Sequence, residues 1–252
     1  MQFPRFLVSV FGLFLLVVSC QRAPYRAVAR LLPATARPVA RPIADDPAAA
    51  ALIAPYHDKV TAQMTEVLGT APAAPVKNPG ESGLINFLGD LQRERAAAVL
   101  GQPVALGLIT NGAMRAGLPA GAITLGSVFE LMPFENELVV VVAPGEVVRQ
   151  LFTLVARTKT PIAGATYAVS FDGQPADIRI GGQPFDPNQD RLYAIALSDY
   201  LASGGDYLDF FKPLPQRHTG VLLRTAIADQ VRAFTKAGKP VTAAVEGRVR
   251  TN

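Results

Sequence analysis

From Pro47 to about Thr70 the apolar residues Leu52, Ile53, Tyr56, Val60, Met64, Val67 and Leu68 recur three and four positions apart. That spacing places them on one stripe of a helix, which the proline-containing stretch Ala71–Pro75 ends. Glu81 to Leu100 carries Leu84, Phe87, Leu88, Leu91 and Val99 on one side and predicts a second helix. Val104 to Ile109 is a short, nearly uniform apolar run, the pattern of a strand buried on both faces. Glu137 to Ala143, dominated by four consecutive valines, predicts another strand. Pro144-Gly145 then turns it into a helix bearing Val147, Val148, Leu151, Phe152 and Val155. Tyr167 to Phe171 alternates as a half-buried strand does, and Ile178–Ile180 before Gly181-Gly182 reads as one arm of a hairpin whose turn needs positive φ. Leu192 to Leu197 adds a strand, Leu222 to Ala237 an amphipathic helix, and Val245 to Val249 an edge strand. Strands and helices alternate without a single repeated unit, so the predicted class is α+β (mixed α/β), a mixed β-sheet with packed helices.

Composition changes this picture mainly at the N-terminus. With 252 residues, 50% hydrophobic and 17% charged, the chain can bury a sizeable core. The formal charge of +4 misleads, because residues 1 to 42 hold six arginines and no acid, leaving −2 for the rest. A basic face for nucleic acid is therefore not expected in the folded part. Arg5, the apolar run Phe6–Val18 and the box Val17-Val18-Ser19-Cys20 read as a lipoprotein signal peptide over residues 1–19, with Cys20 the lipidated first residue after cleavage. The run is short for a permanent membrane helix. Residues 20–45 form a Pro/Ala/Arg-rich tether whose arginines either stay solvated or rest on anionic headgroups. The folded domain is placed at 46–252, lipid-anchored in a bacterial cell envelope and facing the periplasm or the surface.

Four segments then appear in order: Glu81–Asp90 (ESGLINFLGD), Thr110–Arg115 (TNGAMR), Gly121–Asn136 (GAITLGSVFELMPFEN) and Tyr200–Asp206 (YLASGGD), with Glu246–Val249 closing the chain. Together they resemble the C-terminal, substrate-recognising domain of the 5'-nucleotidase and UDP-sugar hydrolase family. The resemblance covers about residues 46 to 252. It implies that this part binds the base and sugar of a nucleotide, while a separate metallophosphoesterase domain holds two divalent metals and performs hydrolysis. Such a centre needs several His and Asp ligands. This chain has only His57 and His218, in unrelated settings, so no metal, cofactor or catalytic residue of its own is expected. Whether it counts as an enzyme is left open, and turnover is expected only with a separately encoded metallophosphoesterase. Nucleotide capture without chemistry, or a purely structural envelope role, are the alternatives.

The resemblance further implies a substrate-binding set of Asn111, Arg115, Phe134, Asn136, Tyr200 and Asp206. Phe134 and Tyr200 fall where the family places two base-clamping aromatics; the second is usually phenylalanine, so Tyr200 keeps the ring and adds a hydroxyl. Arg115 falls on a substrate-contacting arginine, whose guanidinium can grip a phosphate bidentately. Asn136 and Asp206 fall on positions that hydrogen-bond the base and the ribose hydroxyls. By residue type alone, the two rings are equally core aromatics, Arg115 a surface arginine and Asp206 a turn residue. Two departures stand out. Thr110 occupies the family's asparagine position, with Asn111 one residue later, and Lys77-Asn78 stands where an arginine is usual upstream.

Overall fold

A computed structural model of the chain describes residues 44–251. The lipoprotein box at Val17–Cys20 and nearly all of the tether lie outside the described residues. The chain divides into two units between Ala50 and Ala51. The described residues open with a helix, α1 (Pro47–Met64). Pro47 sits at its first position, and Asp46 Oδ1 caps it by accepting from the Ala48 and Ala49 amides at 2.8 and 3.2 Å.

The predicted first helix is corrected at its end: it stops at Met64, and Val67–Ala71 is a strand, β1. Tertiary pairing overrides the helical period there. β1 runs antiparallel to β3 (Gly121–Thr124), and Leu68 and Ala71 are buried against α6 (Leu223–Lys236). Between these two strands in the sequence lies α2 (Gly83–Leu100), whose N-cap Ser82 accepts from the Ile85 amide. The same interval holds β2, confined to Leu106–Gly107, so only the centre of the predicted run 104–109 pairs as a strand. A short helix α3 (Leu125–Leu131) follows β3 through a capping box of Thr124 and Ser127.

Next come β4 (Glu137–Pro144), α4 (Gly145–Thr158), β5 (Ala165–Val169), β6 (Pro175–Ile180) and β7 (Gln183–Pro184). The β6–β7 turn is Gly181-Gly182 at φ 57° and 79°, a left-handed pair that the sequence anticipated. β8 (Leu192–Ser198), the one-turn helix α5 (Asp199–Ala202), β9 (Gln216–Leu222), α6 and β10 (Val249–Thr251) complete the order. β10 is an edge strand, as expected, but starts at Val249 rather than Val245 and lies parallel to β5.

Among the described residues the strands form three sheets, ordered β1-β3, β10-β5-β6-β7 and β2-β8-β4-β9. The valine run of β4 is explained by burial on both faces. Val139 and Val141 enter one core with Phe152, Tyr167 and Ile195, while Leu138 and Val140 pack with Ala96, Val104 and Leu223 on the other side. A further core joins α2, α3 and α6 through Leu84, Leu88, Val128, Leu131, Ile227 and Val231. In contrast, no residue of α1 is buried, and Leu52, Ile53, Tyr56 and Val60 are exposed.

Candidate functional site

The β2-β8-β4-β9 sheet gathers the sequence-predicted site at one end. β8 ends at Ser198 opposite Leu138, near the start of antiparallel β4, and β2 runs parallel to β8 with Gly107 beside Ala196. Leu108 continues that pairing by donating its amide to the Ala196 carbonyl at 2.9 Å. Three segments therefore meet at this end: the exit from β2, which carries Asn111 and Arg115; the entry to β4, which carries Phe134 and Asn136; and the exit from β8, which carries Tyr200 and Asp206. All six named residues lie on them, although up to 95 residues of sequence separate Asn111 from Asp206.

Within the gathering five of the six residues form two groups, while Asn136 stands apart, its carbonyl accepting from the Leu223 amide at 2.9 Å. In the first, the Arg115 guanidinium lies 5.0 Å from the centroid of the Phe134 ring. The Arg115 amide donates to the Leu131 carbonyl at 2.9 Å, which ties this turn to the end of α3. Lys77, the cation noted upstream in the sequence, donates its ammonium to the Met114 carbonyl at 2.8 Å. It is thereby held beside Arg115, but with part of its donor capacity already engaged. Phe134 is half-buried against the α2-α3-α6 core.

In the second group, the Tyr200 hydroxyl donates to Asp206 Oδ1 at 3.1 Å. Ser198 caps α5 through the Leu201 amide, and Tyr200 leaves this turn 52% exposed, so one side of the ring is open to a ligand. Its other side rests on Gly205, where an added Cβ would sit 2.4 to 2.7 Å from ring carbons. Gly205→Ala is therefore expected to push the ring off its seat. Loss of any ligand-induced signal from Tyr200, with the melting temperature changed by only a few degrees, would verify this; unchanged binding would refute it. Asp206 itself is left-handed, at φ 51° and ψ 38°, and Tyr207 follows at φ 67°. Its second oxygen lies 3.3 Å from where a Cβ on Gly112 would be, so the carboxylate and the Asn111-Gly112 turn adjoin.

Asn111 and Asp206 also line a cavity of about 800 Å³ that extends toward α4, with Leu154, Arg157, Tyr207 and Phe210 on its walls. Thr110 and Asn111 both reach this cavity, and the Thr110 hydroxyl and Asn111 Oδ1 are shielded atoms with no hydrogen-bond partner among the described residues. Phe134, Arg115, Asn136 and Tyr200 lie outside its lining. Neither aromatic ring is sealed in the interior, and among the described residues the two make no aromatic contact with each other. Tyr207, 85% exposed on the cavity rim, escaped the sequence reading because a single aromatic in a turn has no period to reveal it.

Behind Asn136, Glu137 accepts from His218 Nδ1 at 2.8 Å and from the Gly220 amide at 2.7 Å, which locks β9 onto β4. The bond from His218, and then that from Gly220, hold the Glu137 carboxyl below its ordinary range. His218 is thus a strand residue paired to a glutamate, while His57 lies exposed on α1 beside Asp58.

Comparison with known proteins adds to this geometry. The profile of the 5'-nucleotidase C-terminal domain matches residues 60–213. The silent protein UshA(0) of Salmonella typhimurium is 30% identical over 175 residues, covering 65% of this chain and 30% of that protein. The trifunctional nucleotide phosphoesterase YfkN of Bacillus subtilis is 28% identical over 186 residues, 68% of this chain and 12% of that one. Among solved structures, the 5'-nucleotidase precursor of Thermus thermophilus superposes with a TM-score of 0.68 at 26% identity, over 81% of this chain and 43% of that one. The chain thus spans less than a third of the length of these two curated relatives.

Proposed function

The chain belongs to the 5'-nucleotidase C-terminal domain family, and from that premise we propose that it recognises nucleotides for a hydrolase whose chemistry a separately encoded metallophosphoesterase supplies. The observation that carries the reading is that two pairs, Phe134 with Arg115 and Tyr200 with Asp206, lie on segments that meet at one end of the β2-β8-β4-β9 sheet. In this reading Phe134 and Tyr200 offer flat faces to the base, because stacking excludes water from a ring while tolerating its identity. Asn136 hydrogen-bonds the base edge, Asp206 accepts from the ribose hydroxyls beside the Asn111 turn, and Arg115 turns from Phe134 to the phosphate.

The metals belong to the proposed partner. When bound there, two divalent cations activate a water for attack on the phosphate. Among the described residues, no three His, Cys, Asp or Glu side chains come together to hold a metal ion, so no hydrolytic step is assigned to this chain. A partner of this kind needs an apolar docking face, and the exposed Leu52, Ile53, Tyr56 and Val60 of α1 supply a candidate. Lipid on Cys20 would hold the assembly at the cell envelope.

A second reading, capture of nucleosides without chemistry, is favoured by one observation. Arg115 is seated on Phe134 and Lys77 gives one of its donors to a carbonyl, so neither cation points to a phosphate as it stands. Calorimetric titration of AMP, adenosine and UDP-glucose into the full chain in detergent separates these readings. Tighter binding of AMP than adenosine, with AMP hydrolysis appearing only when a metallophosphoesterase encoded nearby is added, supports the first. Equal binding without hydrolysis supports the second. No heat with any ligand leaves a structural envelope role.

A further inference from the structure

Arg224, on α6, holds the loop that carries Phe134. Its guanidinium carbon lies over Phe129, 4.1 Å from the ring centroid, and the side chain is only 12% exposed. One nitrogen donates to the carbonyls of Pro133 and Phe134, each at 3.4 Å, and the other to Glu135 Oε1 at 3.2 Å. The neighbouring Leu223 amide donates to the Asn136 carbonyl at 2.9 Å. Four consecutive residues, Pro133 to Asn136, are thus fastened to two residues at the start of α6. Among the described residues, no other hydrogen bond holds this stretch.

Arg224 also sits where helix stability disfavours it. It is the second residue of α6, whose first turn has no acidic side chain and whose N-cap, Leu222, gives no side-chain bond. A cation there opposes the positive end of the helix dipole. Nor does its ion pair explain its burial, since Glu135 is 80% exposed and screened by solvent. The contacts that remain to account for it are the Phe129 ring, which seats the guanidinium, and the carbonyls of the Phe134 loop, which take its hydrogen bonds. A planar fork suits this role, because it stacks on Phe129 while donating sideways to several oxygens, as an ammonium cannot.

We infer that Arg224 is a positioning residue: from outside the site it fixes the backbone of Pro133–Asn136, and through it the angle and height of the Phe134 ring. It touches no ligand itself. The consequence for affinity rests on the nucleotide reading above; the consequence for the loop does not. Two measurements keep them apart.

The first is amide hydrogen exchange on the full chain. Arg224→Ala is expected to speed exchange at the Leu223 amide, whose partner is the Asn136 carbonyl of this loop, at least tenfold while Val139 to Val141 keep their rates. Arg224→Lys should behave like the alanine variant. An unchanged rate at Leu223, or a rise spread evenly through β4 and α6, would overturn the inference whatever the protein binds. The second is adenosine affinity in a double-mutant cycle. Arg224→Ala alone should weaken binding about tenfold, yet add nothing in a background carrying both Phe134→Ala and Asn136→Ala. An equal further loss in that background would mean that Arg224 acts directly on the ligand, which also overturns it. If the unaltered chain takes no adenosine, the nucleotide reading fails and the exchange result alone decides the role of Arg224.

Discussion

Phe134→Leu is expected to weaken adenosine binding by about one to two orders of magnitude while leaving the melting temperature within a few degrees. The two effects separate because the ring serves two ends. The side chain packs, half-buried, on the α2-α3-α6 core, where leucine is an adequate filler. Its face, in the proposed reading, stacks on a base, and stacking contributes roughly 1–3 kcal/mol per base. Each 1.4 kcal/mol is about tenfold in affinity. Phe134→Ala should lose the same affinity and stability as well, because it also opens a gap against the core. Titration calorimetry with adenosine, beside thermal melts of both variants, checks this. Leucine binding as tightly as phenylalanine would remove Phe134 from the site.

Glu81→Ala should destabilise the fold strongly, by roughly 2–4 kcal/mol, less than its three charge-assisted bonds of about 1.5–3 kcal/mol each would sum to because the carboxylate is part-exposed. One carboxylate oxygen accepts from Asn86 at 2.8 Å and from the Glu246 amide at 2.9 Å, and the other from the Val249 amide at 3.1 Å. These bonds fasten the C-terminal segment to the start of α2 and set β10 beside β5. Arg248 strengthens the same junction through Asp90 and Glu246. Burial pushes the Glu81 carboxyl up, but the Asn86 amide and the amides of Glu246, Val249 and Arg248 outweigh it and hold the group below its ordinary 4.5. A carboxyl lowered on folding adds stability that is fully present above its unfolded value and is lost as pH falls through its folded value. The gap in melting temperature between the native chain and Glu81→Ala should therefore be constant near neutrality and narrow as the pH falls below about 4.5. A gap that widened in acid would show that Glu81 is not held as an anion in the fold.

Much of the framework was legible because it is local. Four valines, then Pro-Gly, then an amphipathic run are enough to write β4 and α4, since period and punctuation act within a few residues. Gly181-Gly182 announces its hairpin for the same reason. The helix predicted to reach Thr70 ends at Met64 because Leu68 and Ala71 find burial with α6 and pairing with Gly121–Thr124, partners 50 or more residues away. In the run 104–109, apolarity marked burial correctly, yet only Leu106 and Gly107 pair, since a pairing partner is not written into the run itself.

The site divides along the same line. The sequence alone determined that this is a mixed α+β chain with a family's ordered motifs, and which six residues to watch. Only the tertiary structure decided that Arg115 lies on Phe134, that the Tyr200 hydroxyl bonds Asp206, that Asn111 shares a cavity with that acid, and that Arg224 holds the loop between them. Local periodicity reports on neighbours a turn or a pleat apart. These contacts join residues brought together by the register of β2, β8 and β4 and by the packing of α6, and register is a property of strand pairs that no single strand carries.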